Sequence, residues 1–188
     1  MSQRYVAAIA VALCSTSVQA NGFDISLSDE TANVVYLSDS GSFGYGGADI
    51  GFGFFYNEAD DVIAHANILV TSNPQSGNNF QFGVGAKGYF GTLDVPDEDV
   101  AAIGIGGLVR YVFPAATPMG ISLEGYFAPD ITSFSDTESL REVTARFELE
   151  VMPSTRGYIG YRVLEPEVER AGDVEVDDEF HLGIRFLF

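Results

Sequence analysis

Apolar and polar residues alternate with a period of two along most of the chain. In "GADIGFGFFYN" (47–57), Ala48, Ile50, Phe52, Phe54 and Tyr56 share one face, and Asp49, Gly51, Gly53, Phe55 and Asn57 share the other. The same pattern runs through "NFQFGVGAKGYFG" (79–91), "VAAIGIGGLVRYVF" (100–113), "GISLEGYF" (120–127), "LREVTARFELEV" (140–151), "RGYIGYRVL" (156–164) and "HLGIRFLF" (181–188), and more weakly through "VIAHANILVT" (62–71). Period two is the signature of a strand with one apolar face. Several of these runs reach ten to fourteen residues, whereas soluble strands usually have about 5–6 and a tilted membrane-crossing strand needs about 9–11. The opposite face carries glycine, polar and charged residues, as the lumen of a narrow barrel would. The pattern predicts an all-β fold, a transmembrane antiparallel up-and-down β-barrel.

Gly46 to Phe188 holds eight such strands. Upstream, "FDISLSDETANVVYLS" (23–38) folds as a hairpin around Ser28–Thr31 or as a plug or single irregular strand. The hairpin raises the count to ten, which is the expectation, with eight as the alternative, because both termini on one side require an even number. The links also alternate. "DSGS" (39–42), "NPQSGN" (73–78), "PAATP" (114–118) and "MPST" (152–155) are short and poor in acids. "NEADD" (57–61), "LDVPDED" (93–99), "APDITSFSDTE" (128–138) and "EPEVERAGDVEVDDE" (165–179) are acid-rich, and the last two are long. Counting back from a periplasmic Phe188 places every acid-rich link outside, where outer-membrane barrels carry their longer loops.

The first twenty residues, "MSQRYVAAIAVALCSTSVQA", change the picture of location. Arg4, a short apolar run from Tyr5 to Leu13 and the small residues before Ala20 read as a secretory signal peptide cleaved after Ala20. The domains are thus a signal peptide (1–20) and a barrel (21–188). Cys14 follows Leu13 rather than a small residue, so a lipoprotein signal is not read, and no other cysteine is present. The net charge of −18 excludes a nucleic-acid partner.

The last strand has a second reading. A polar residue, a glycine two positions on, and aromatics at the third-to-last and last positions resemble the terminal signal that the outer-membrane assembly machinery reads. His181, Gly183, Phe186 and Phe188 supply those elements. Taken together, "GAKGYF" (85–90), "EGYFAPD" (124–130), "GYR" (160–162) and the terminal Phe resemble the YfaZ-type outer-membrane protein family in order and spacing. The resemblance implies a barrel in the outer membrane of a Gram-negative cell; it brings no biochemical activity with it. With no Trp in the chain, interface girdles have to come from Tyr and Phe.

The lumen-facing positions carry five cations, Lys87, Arg110, Arg146, Arg162 and Arg185, and five acids, Asp49, Glu124, Glu142, Glu148 and Glu150. Buried charges have to pair. The set is either an interlocked network filling the barrel or a charged constriction for small solutes. Arg146 is expected beside Glu148 or an acid on a neighbouring strand. Catalysis is not expected. The two histidines, His65 and His181, are followed two positions on by Asn67 and Gly183 rather than by serine, and Asp178 lies three positions before His181. No catalytic, cofactor or metal motif is present. The remaining acids, Asp94, Asp97, Glu98, Asp99, Glu165, Glu167, Glu169, Asp173, Glu175, Asp177, Asp178 and Glu179, read as a solvated anionic surface, with weak divalent-cation bridging to lipopolysaccharide as the other reading. The expected function is a structural or interaction-type outer-membrane barrel, with a narrow channel second and a lipid-modifying enzyme third. Expected partners are outer-membrane lipid and lipopolysaccharide, the assembly machinery and periplasmic chaperones.

Overall fold

The alternating runs form strands that pair in chain order. A computed structural model of the chain describes residues 21–39, 48–72, 79–94, 97–169 and 171–188. The predicted signal peptide (1–20) and the "NPQSGN" link (73–78) lie outside the described residues, as does most of "DSGS". Among the described residues twelve strands are formed: β1 (Asn21–Leu27), β2 (Thr31–Asp39), β3 (Ala48–Asn57), β4 (Val62–Thr71), β5 (Phe80–Leu93), β6 (Glu98–Val112), β7 (Met119–Ala128), β8 (Ser133–Ser135), β9 (Thr137–Met152), β10 (Thr155–Val168), β11 (Gly172–Asp173) and β12 (Asp177–Leu187). Ten of them close an antiparallel up-and-down barrel, each pairing with its neighbours along the chain, with β7 pairing β9 and β10 pairing β12. Closure is between β12 and β1, from Gly22 opposite Leu187 to Leu27 opposite Leu182. The Asn21 N–H donates to the Phe188 carbonyl at 2.9 Å, and the Phe188 N–H donates to the Asn21 carbonyl at 2.7 Å. The short β8 and β11 lie outside the ring, against the ends of β6 and β10.

The ten-strand expectation therefore holds and the eight-strand alternative does not. The first hairpin turns where the sequence places it: the Ser28 hydroxyl accepts from the Thr31 N–H at 2.8 Å and the Glu30 N–H at 3.2 Å.

The outer wall is an apolar belt. Phe52, Phe54, Val84, Phe90, Ile105, Leu123, Phe127, Phe180, Leu182 and Phe188 all point outward and are exposed. On β5 it runs from Phe80 to Phe90, and ten steps of about 3.3 Å at a tilt near 40° give about 25 Å, the height of the lipid-facing band of membrane barrels. At the end that carries Asn21 and Phe188, the terminal end of the barrel, aromatic rings meet in series: Tyr36 with Phe23, Phe23 with Phe188, Phe80 with Tyr111, Tyr111 with Phe113, and Phe113 with Phe147, at centroid distances of 4.9–6.5 Å. Tyr161 and Phe180 pair at 4.8 Å near the other, far end. These girdles contain only Tyr and Phe.

The acid-rich links at the far end are shorter than the sequence suggests, which corrects part of the surface reading. Glu98 and Asp99 belong to β6, Glu165 and Glu167 to β10, and Asp177, Asp178 and Glu179 to β12. The β9–β10 ladder continues past the belt, with Glu165 opposite Arg141 and Glu167 opposite Ser139. Cross-strand partners make these acidic stretches strand rather than loop: Arg141 pairs with Glu165, and the Ser139 hydroxyl donates to Glu167 at 2.9 Å. Nor are these acids uniformly solvated, since Glu98 and Asp177 are each only 3% exposed.

Candidate functional site: the charged interior

The interior has three zones. At the far end it is an apolar core. Phe55, Ile63, Leu93, Val100, Ala128, Leu140, Leu164, Val168 and Val176 pack inside the ring, all nearly inaccessible. Val176 enters from the segment before β12. Its N–H donates to the Leu164 carbonyl at 3.0 Å and its carbonyl accepts from Asn57 Nδ2 at 3.1 Å, so this segment is tied to both β10 and β3.

The middle zone is ionic. Lys87 Nζ donates to both oxygens of Glu142 at 2.8 and 2.6 Å, and the Tyr89 hydroxyl donates to the same carboxylate at 2.6 Å. Lys87 also lies 5.2 Å from the Tyr89 ring centre and 5.8 Å from that of Tyr126. The Tyr126 hydroxyl donates to Glu124 at 2.9 Å. Arg162 pairs with Asp177 and lies 4.8 Å from the centre of the Phe55 ring, at the boundary with the apolar core. Asp24 on β1 is the hub. Arg185 donates to it through Nε at 2.8 Å and Nη2 at 2.5 Å, Arg146 approaches at 3.5 Å, and the Tyr158 hydroxyl donates to its other oxygen. His65 Nε2 lies 3.0 Å from Asn33 Oδ1. His181 is 2% exposed and packs edge-on against Tyr158 at 6.0 Å.

Towards the terminal end this zone opens into a vestibule. Arg110 Nη2 donates to both oxygens of Glu148 at 2.9 and 3.0 Å, and Arg156 stands 3.9 Å from the same carboxylate. Asp49 and Glu150 line the mouth with Arg156. The cavity measures about 270 Å³. Within the ionic layer, a void of about 10 Å³ lies among Asn33, His65, Lys87, Glu142 and Arg162, room for about one water.

All ten predicted interior charges therefore line the lumen, but the pairing differs from expectation. Arg146 joins neither Glu148 nor an acid on a neighbouring strand. Its partner is Asp24, and β1 is not adjacent to β9. Asp24 and Asp177 are the acids paired with interior arginines that sequence reasoning missed. Asp24 lies in the hairpin read as ambiguous, although "FDISL" already placed it and Ser26 on the face opposite Phe23, Ile25 and Leu27. The sequence pattern alone sets Asp177 among the solvated surface acids. Burial and Arg162 overturn that, because the register sets Leu164 opposite Asp177 and so holds the two charged side chains on one inward face.

Three of the lumen glycines have a common purpose. Tyr158 lies opposite Gly183, His181 opposite Gly160, and His65 opposite Gly53. A Cβ on Gly183 would stand 2.1 Å from Tyr158 Cζ, one on Gly160 2.4 Å from His181 Nε2, and one on Gly53 2.4 Å from His65 Cε1. Each glycine is the socket for the large side chain across the ladder. His181 and Gly183, read from sequence as parts of a terminal signal, thus also pack the interior, while Phe186 and Phe188 face outward.

Among the described residues no group of His, Cys, Asp and Glu is arranged to hold a metal ion. The family model described as YfaZ precursor matches residues 1–188. The chain belongs to the YfaZ family. No curated protein sequence matches this family member. One solved chain, described under "Unveiling the Mechanism Behind the in-meso Crystallization of Membrane Proteins", is similar to it at 10% identity and a TM-score of 0.43. That likeness covers 90% of this YfaZ-family chain and 83% of the other. A likeness this distant carries no functional weight.

Proposed function

We propose that this YfaZ-family protein is an exported outer-membrane barrel that is blind: open towards the periplasm, sealed at the outer end, and without catalytic or conducting activity. The observation that carries the reading is the filling of the lumen. The apolar core from Phe55 to Val176 occupies the far half, and the Lys87–Glu142 and Arg162–Asp177 pairs close the middle. A hydrated ion crossing that core would have to shed its water against hydrocarbon. The apolar belt of about 25 Å supports membrane insertion, and the short links beside the termini support a periplasmic terminal end. On this reading Phe188 is presented to the assembly machinery at that end, and the extended β9–β10 hairpin reaches towards lipopolysaccharide. His65 and His181 are engaged in interior packing, which supports a role without catalysis. The refolded barrel in planar bilayers is expected to leave conductance at the leak level. Stable unitary currents would refute the blind barrel and favour the narrow channel.

A further inference from the structure

We infer that a trough on the outer wall of β3 to β6 holds one saturated acyl chain of a lipid in the leaflet at the far end. The inference rests on the reading that the belt is embedded in a membrane. Two neighbouring rows of outward side chains make the trough. One row runs Phe54, Ala64, Phe90, Ala101 and Phe134 across β3, β4, β5, β6 and β8, and the next runs Phe52, Ala66, Gly88 and Ile103 across β3 to β6. The small residues form a floor between Phe52 and Phe54 on one side and Phe90 and Ile103 on the other, all four exposed. One row further towards the terminal end, Ile68 stands on β4 in place of the alanines, so the depression is confined to these two rows. The space measures about 410 Å³, within the ~300–1,000 Å³ of ligand sites.

Gly88 is a glycine that the barrel itself does not require. On the inner face of the same strand, a Cβ on Gly85 would stand 2.3 Å from the Ile68 carbonyl oxygen, and one on Gly91 2.1 Å from that of Val62, so neither position has room for a side chain. A Cβ on Gly88 would meet only the Ala66 carbonyl oxygen, at 3.9 Å, which is ordinary contact. A glycine inside a strand weakens it and often marks the close approach of a ligand; here it deepens the floor opposite Ala66. The position of the trough names the occupant. It is continuous with the belt and lies in its far half, and its lining is almost wholly apolar, so what reaches it is hydrocarbon. The walls on β3 and β5 are two strand spacings apart, about 10 Å, and the rings of Phe52, Phe54 and Phe90 take up much of that width. The remainder suits one polymethylene chain lying along β4. The broad convex wall of a second barrel would rest on the rings and leave the floor uncovered. A cis double bond would bend a chain out of so narrow a trough, which selects a saturated one.

The chain has no Trp, so one introduced Trp reports alone. Phe90→Trp places it at the wall of the trough, and Phe127→Trp places it in the same belt on β7, away from the trough; both positions are exposed. Each variant is reconstituted in vesicles of dibrominated phosphatidylcholine, whose bromines quench a Trp they touch. The quenching is then relieved by mixing in palmitoyl-oleoyl phosphatidylcholine, which has one saturated chain, or dioleoyl phosphatidylcholine, which has none. At Phe90→Trp the palmitoyl-oleoyl lipid is expected to relieve quenching about threefold more effectively, a modest ratio because packing between hydrocarbons gains only dispersion contacts. At Phe127→Trp the two lipids are expected to be equal. Adding Gly88→Val to Phe90→Trp fills the floor and is expected to abolish the preference while leaving the gel mobility of the folded barrel unchanged. Equal relief by the two lipids at Phe90→Trp, the same preference at Phe127→Trp, or a preference that survives Gly88→Val in the folded barrel would overturn the inference and leave the membrane reading standing. Quenching at neither position would overturn both.

Discussion

Replacing Asp24 with Asn tests the centre of the interior directly. The substitution keeps the volume and one carbonyl acceptor but removes the charge facing two guanidiniums. Asp24 is 2% exposed and accepts from Arg185 at 2.8 and 2.5 Å, from Arg146 at 3.5 Å and from Tyr158. Hydrogen bonds involving a charged group contribute about 1.5–3 kcal/mol each, and stripping one partner from a buried ion pair costs about 3–5 kcal/mol. Two features place this site at the lower end. Arg146 also lies in the field of Glu124 and Glu148, and the vestibule reaches Arg185 and Arg146 from one side. The expected loss is therefore about 3 kcal/mol. With a urea dependence of about 2 kcal/mol/M, the unfolding midpoint falls by about 1.5 M. The assay is urea unfolding of the refolded barrel in detergent, followed by circular dichroism and by gel mobility before and after boiling. Asp24→Asn combined with Arg185→Gln is expected to recover a large part of the loss, because the second change removes a cation left without its partner. A midpoint shift below about 0.5 M for the single variant, or strict additivity in the double, would refute the hub.

The Arg162–Asp177 pair is expected to be costly to break and cheap to replace: either single apolar substitution destabilises by about 3–5 kcal/mol, whereas Arg162→Met with Asp177→Leu is neutral or stabilising, as urea midpoints will show. The two halves of the terminal motif are expected to separate. Gly183→Ala puts a Cβ 2.1 Å from Tyr158 Cζ, so it destabilises the barrel refolded in vitro by about 1–3 kcal/mol. Phe188→Asp leaves in vitro refolding possible but lowers outer-membrane levels in cells, since a charge near the interface costs only about 0–1 kcal/mol in lipid transfer. Unchanged outer-membrane levels for Phe188→Asp would make the terminal residues ordinary strand.

The sequence by itself determined the wall of this protein. A bilayer accepts only strands whose backbone groups are all paired around a closed ring and whose outer face is apolar. Those demands are local and periodic, so the alternation in 48–57, 79–91 and 100–113, the turn at Ser28 and the short links at 114–118 and 152–155 could be read residue by residue. Tyr36, Phe80 and Phe188 fell into a girdle because their positions in the period left them nowhere else to point. The interior was decided by closure. Which acid meets which guanidinium depends on strands far apart in sequence coming round to face one another: Asp24 and Arg146 are 122 residues apart, and Asp24 and Arg185 are 161 apart. Alternation says that a side chain points inward and says nothing about what lies across the lumen. The far end was illegible for a related reason. A run of acids between two strands resembles a loop until Arg141 stands opposite Glu165, Arg162 reaches Asp177, and Val176 folds into the core, after which the same residues are strand and seal. The glycines show the division most plainly. Period two placed Gly183 on the inner face, but only the register that sets it opposite Tyr158 makes it the one residue whose absent side chain leaves room for that ring.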